Sequence, residues 1–149
     1  MLITTSRNAD ISQKRFCKYL SSLISEIQHI PRGQTPLKKI FEKSSYLGHN
    51  FLLVVEKKKE NLKLVVYKRK EKEFFSDKSF LISEVFYKKP KTRPQEINHK
   101  GKFFYFLEEK DKDSEIKAVE ENQEVKFTLN KELVFSFKIL KEESQWLIL

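Results

Sequence analysis

Phe51-Leu52-Leu53-Val54-Val55-Glu56 is the stretch that decides the fold. A strand exposed on one side alternates apolar and polar residues. A continuous apolar run containing two valines reads instead as a strand buried on both faces, as in a sheet covered by helices. Such a strand calls for helices nearby, and the residues before it supply two. Thr35-Pro36 fits a helix N-cap followed by proline at the first helical position. Leu37, Ile40 and Phe41 give this helix an inward face, and Gly48 stands where a C′ residue is expected.

Further back, Pro31-Arg32-Gly33 is a turn signal, and Ile27 to Ile30 is a short apolar segment that reads as a strand. Residues 10–26 read as an amphipathic helix. Phe16, Leu20, Leu23, Ile24 and Ile27 fall on one face, Lys14, Arg15 and Lys18 fall largely off it, and Asn8 or Asp10 suits the N-cap. Leu2 to Ser6 reads as an opening strand. Forward from Glu56, Lys57-Lys58-Lys59-Glu60-Asn61 separates the buried strand from Leu62–Tyr67, which fits a hairpin. The first half is therefore β-α-β-α-β-β, an α/β sheet with right-handed crossovers.

The second half reads as strand-rich. Phe80–Tyr87, Lys102–Glu108, Val125–Leu129 and Leu133–Leu140 have strand character, and Trp146–Leu149 is an apolar end that suits a final strand. Residues 88–102 are polar and basic, with Pro90 and Pro94; one reading of them is a short helix from about Arg93. No low-complexity linker divides the 149 residues, so they read as one domain.

The formal net charge is +9, unevenly spread. Residues 1–50 carry +5, residues 51–102 carry +8 and residues 103–149 carry −4. A basic surface on part of the molecule suits a polyanion such as nucleic acid, and an acidic remainder suits solvent or a protein partner. The lone Cys17 allows no internal disulfide and fits a reducing compartment. No leader-like or membrane-spanning run is visible, so the expectation is a cytoplasmic protein without membrane contact. The three glycines fit neither dinucleotide nor P-loop spacing, and Ser6 has no G-x-S-x-G context. His29, His49 and His99 stand far apart. No cofactor, metal or catalytic group is nominated, and the expectation is a non-enzymatic protein.

Three features can carry binding. Thr4-Thr5-Ser6-Arg7 leads into the first helix, whose amino end, with Lys14, Arg15 and Lys18 beside it, would suit a phosphate; taken alone, a strand end, a cap and a solvated face are the commoner explanation. Arg32-Gly33 offers a planar fork beside a flexible backbone, or an ordinary turn. The third is the density of Lys68, Arg69, Lys88, Lys89, Lys91 and Arg93, interleaved with Tyr67, Phe74, Phe75, Phe86 and Tyr87. Here the phenylalanines read as core. The run Lys88–Arg93 reads as RNA contact, because its prolines and charge have no place in a core.

Ile3-Thr4-Thr5-Ser6-Arg7, then Gln13-Lys14-Arg15-Phe16-Cys17-Lys18-Tyr19-Leu20, then Arg32-Gly33 before a second helix and a buried strand, resembles the opening of archaeal Brix-domain proteins. The resemblance covers about the first 70 residues. It departs at Asn8-Ala9-Asp10-Ile11, where a Pro/Ser/Arg-rich stretch is expected, and in having one Arg before Phe16. The resemblance implies a single Brix domain over 1–149, with two similar halves (1–78 and 79–149), each like the anticodon-binding domain of class IIa aminoacyl-tRNA synthetases. It implies pre-rRNA processing and ribosome assembly, with pre-rRNA or rRNA and other ribosome-assembly proteins as partners. It makes Arg7, Lys14, Arg15 and Arg32 RNA-contact candidates. Two other functions fit the residues: a tRNA-binding module of the same fold, and a protein-interaction subunit whose basic charge is incidental.

Overall fold

Asp10 starts the architecture. Its side chain accepts a hydrogen bond from the Gln13 N–H (3.1 Å), and the Gln13 side-chain oxygen accepts one from the Asp10 N–H (3.0 Å). This capping box opens helix α1 (Ile11–Leu23). Buried Gln13 also donates to the Val55 carbonyl (3.0 Å) and the Ser6 hydroxyl (2.8 Å), so one amide ties the helix start to both segments. The apolar stripe predicted for α1 is buried at Phe16, Leu20 and Leu23.

The computed structural model describes residues 1–108 and 113–144. The expected strand Trp146–Leu149 lies outside them. The strands are β1 (Leu2–Thr5), β2 (Gln28–His29), β3 (Phe51–Lys58), β4 (Asn61–Lys70), β5 (Glu73–Tyr87), β6 (Asn98–Lys100), β7 (Ile116–Glu121), β8 (Glu124–Leu129) and β9 (Glu132–Ser144). Together with α1 and α2 (Leu37–Tyr46) they make an α/β fold on one mixed sheet, in the order β2-β1-β3-β4-β5-β9-β8-β7-β6. β1 pairs in parallel with β2 and β3; β3, β4, β5, β9, β8 and β7 follow in antiparallel steps, and β6 pairs in parallel with β7. A parallel pair followed by an antiparallel meander thus occurs on each side of the β5/β9 seam. The expected division at 78/79 falls inside β5.

β3 is buried on both faces, as its sequence predicts. Leu53 and Val55 join the large core beneath α1, while Leu52 and Val54 join a smaller core beneath α2 with Leu2, Ile40 and Phe74. The large core is rich in edge-to-face aromatic pairs. Phe16 of α1 meets Phe135 (5.5 Å) and Phe137 (5.3 Å) of β9, so one core crosses the seam.

Several expectations are corrected. Lys102–Phe106 is a 3₁₀ turn, not a strand. Gly101, at φ +128°, turns the chain, and a Glu120 carboxylate oxygen accepts from the Phe103 N–H (2.8 Å). A strand would divide this segment's aromatics between two faces; the turn sends Phe103, Phe104 and Phe106 into the same core. No helix starts near Arg93. Gln95 instead bonds through its backbone to Leu23 and Ser25. Helix α2 begins one residue later than predicted, with extended Pro36 as N-cap, because Thr35 is held in a turn closed by Arg32. Phe74 is core, whereas Phe75 and Phe86 are exposed. Gly48 follows α2 at φ +76°, as its place predicted. Among the described residues no helix is long and apolar enough to cross a membrane.

Candidate nucleic-acid interface

From β1 the chain passes through α1 to β2 on one side; from β2 it returns through α2, on the other face, to β3. The carboxyl end of β1 is therefore a point where the winding reverses. Open α/β sheets place ligands at such points. A groove of about 460 Å³ opens here. Thr5 and Ser6 supply its floor, Lys14 and Lys18 come from α1, and His29 and Arg32 come from the end of β2 and the turn beyond it. Among the described residues no Asp or Glu lines it.

Each cation has a local reason for its position. Lys14 and Lys18 are four residues apart and share one flank of α1. Arg32 donates from Nε to the Thr35 carbonyl (2.6 Å) and from a terminal nitrogen to the Thr5 carbonyl (3.0 Å). The fork is thereby fixed while other N–H groups remain for a ligand. Partial burial lowers the Arg32 pKa, and the nearby Arg7 cation lowers it further. Burial and the Lys18 cation hold His29 below its ordinary value. Like charges crowded around an open groove favour an anion between them. Asn8 and Gln34 join across the same groove by a long amide contact (3.4 Å).

The amino end of α1 contributes differently from the prediction. The Asp10 carboxylate occupies it, bonded to Ser12 (2.6 Å) and paired with Lys57 (3.3 Å). The Ser12 hydrogen bond is the main cause of its lowered pKa. A phosphate there would meet a carboxylate, so the contribution of α1 to the groove is Lys14 and Lys18 on its flank.

Of the ten predicted contacts, the structure gathers Arg7, Lys14 and Arg32 around this groove. Arg15 lies on another flank of α1, its guanidinium 4.2 Å from the Tyr87 ring centre and 5.7 Å from that of Tyr19. Lys88 is ion-paired with Glu132. Lys89, Lys91 and Arg93 are exposed on the segment that runs from Tyr87 back to Gln95 at the end of α1. Lys68 and Arg69 sit beside Phe51 and Asn50, at the start of β3. That is roughly 16 Å of strand from the groove. Lys18, read with Lys14 as standing beside a phosphate, also lines the groove; His29, Asn8 and Gln34 belong to it although none was predicted as a contact. Among the described residues no cluster of His, Cys, Asp and Glu could hold a metal. Burial pushes the Cys17 thiol up to about 12, which leaves it unreactive at neutral pH.

Fold and groove together define an α/β protein with one mixed sheet and, at its winding reversal, a basic groove that no carboxylate lines among the described residues. Two archaeal proteins of known structure share this fold. One is a probable ribosomal biogenesis protein from Aeropyrum pernix K1, with a TM-score of 0.69, 19% identity, and coverage of 97% of this chain and 96% of that one. The other is Mil, an archaeal Imp4-like protein, with a TM-score of 0.71, 14% identity, and coverage of 97% of this chain and 100% of that one. At these identities the fold is what is shared. No protein-family model and no curated protein matches the sequence.

Proposed function

We propose that this protein is a Brix-type, non-enzymatic rRNA-binding factor that acts in pre-rRNA processing and ribosome assembly in the cytoplasm. The basic groove, lined by no carboxylate among the described residues, carries the reading. Its lysines and Arg32 surround a space suited to the phosphates of an RNA strand, next to backbone and hydroxyl groups that can fix its register. Three further observations support it: the resemblance of the opening residues, the fold shared with a probable ribosomal biogenesis protein, and the recurrence of one pairing scheme on both sides of the β5/β9 seam. On this reading those two sides are the paired anticodon-binding-like halves of a Brix domain. Arg7, Lys14, Lys18 and Arg32 make the first phosphate contacts. Arg15, Lys89, Lys91 and Arg93 extend the path along the opposite flank of α1.

Filter binding against small-subunit pre-rRNA, tRNA and random RNA tests this at about 50 and 200 mM salt, where phosphate contacts show strongly. The expected result is salt-sensitive binding that prefers pre-rRNA. Equal or stronger binding of tRNA would favour the anticodon-type module. Absence of binding to all three would remove direct RNA recognition.

A further inference from the structure

Phe75 is 53% exposed, and its neighbours explain why. The preceding Phe74 stacks on Phe41 under α2 (5.3 Å, 13° between planes), so strand alternation turns Phe75 to the opposite face. There Phe51, Lys68 and Phe75 stand in register across β3, β4 and β5. Phe51 is partly covered at its edge by Tyr105 of the 3₁₀ turn (5.8 Å), and Lys78 lies over the Tyr105 ring (4.6 Å). Beyond Tyr105 Phe75 is left exposed. The turn around it reads Lys68-Arg69-Lys70-Glu71-Lys72-Glu73, with Glu73 opposite Lys70 in register. Arg69 is fixed on the other face by Asn50 (3.1 Å).

A large exposed ring beside a lysine, on a rigid sheet within a basic hairpin, has the components of a base-stacking platform: the ring takes a base face and the lysine its phosphate. We propose that Phe75 and Lys68 form a second contact for single-stranded RNA, separate from the groove and on the order of 20 Å from it. The proposal rests on the RNA-binding reading above and assigns the single-stranded class of ligand to this end of the sheet. An RNA strand engaging both places would gain affinity from their linkage.

Anisotropy titration of a fluorescein-labelled 20-nucleotide oligouridylate separates the possibilities. Phe75→Ala should weaken binding about fivefold or more, with the salt slope unchanged, because stacking releases no counterions. Phe75→Tyr should restore most of the affinity. Lys68→Ala should lower the slope by roughly 0.7. In a Phe75→Trp variant, added RNA should quench fluorescence beyond any change that Trp146 gives in the unaltered chain. Wild-type binding that Phe75→Ala leaves within about twofold, with no such added quenching in the Phe75→Trp variant, would overturn the platform and leave the groove standing. Loss of all RNA binding in the unaltered protein would overturn both.

Discussion

The two sides of the β5/β9 seam follow one pairing scheme but differ in what joins their parallel strands. Between β1 and β3 the chain inserts α1, β2 and α2; between β6 and β7 it inserts only residues 101–115, including the short 3₁₀ turn. The first insertion covers both faces of the sheet and doubles back past β1, and that reversal opens the basic groove. The second covers one face with Phe103, Phe104 and Phe106 and, among the described residues, opens no such reversal. Charge differs with architecture: residues 1–87, which hold β1–β5, carry a net +8, and residues 88–149 carry +1. The lesson is that the shared sheet carries the common core, while the inserted segment shapes the groove.

The strongest way to break this comparison is to cut the core that both sides share. Phe16→Ala removes the ring that meets Phe135 and Phe137 and should cost about 3–5 kcal/mol, measured by urea unfolding. Loss of fluorescence and of circular dichroism should coincide, because the core crosses the seam; two separate transitions would show independent halves. Gln13→Ala comes next. It deletes half of the capping box and the bonds to Ser6 and Val55, and should cost about 2 kcal/mol with little change in the second side's hydrogen-exchange protection.

Groove variants sharpen the functional half of the comparison. Arg7→Ala with Lys14→Ala and Lys18→Ala should weaken RNA binding about tenfold or more while moving stability by no more than about 0.5 kcal/mol, since all three residues are exposed. Lys117→Ala with Lys126→Ala, on the second side, should leave affinity within about twofold. The smallest effect concerns pH. His29 has a lowered pKa in the free fold, so acidification through the ordinary value near 6.5 protonates the unfolded chain first and slightly destabilises the protein. A bound phosphate favours the protonated ring, so RNA affinity should rise modestly as pH falls from about 7 to about 5.5. His29→Gln should flatten that rise.

Much of the first side was legible because its signals are local. The apolar run at Phe51, the stripe on α1 and Gly48 each report a backbone state within a few residues. What stayed hidden depends on long-range placement. The aromatics of Phe103–Phe106 favour a strand by composition, but the core needs them on one face. Phe75 looks like Phe74 in sequence, yet period-two geometry sends it away from α2. The groove draws on β1, α1 and the turn after β2, and proximity among those segments exists only in the fold. Arg15, Lys68 and Lys88 have the right chemistry and different neighbours: tyrosine rings, Phe51 and Glu132.

The central claim is that the groove holds RNA through its phosphates. The most direct measurement is the slope of log K against log salt for pre-rRNA binding, in the unaltered protein and in the Arg7, Lys14 and Lys18 triple alanine variant. The account predicts a linear fall in the unaltered protein, shallower in the variant by roughly 0.7 for each single-strand phosphate contact removed. Equal slopes in the two proteins, or binding that does not respond to salt, would contradict it.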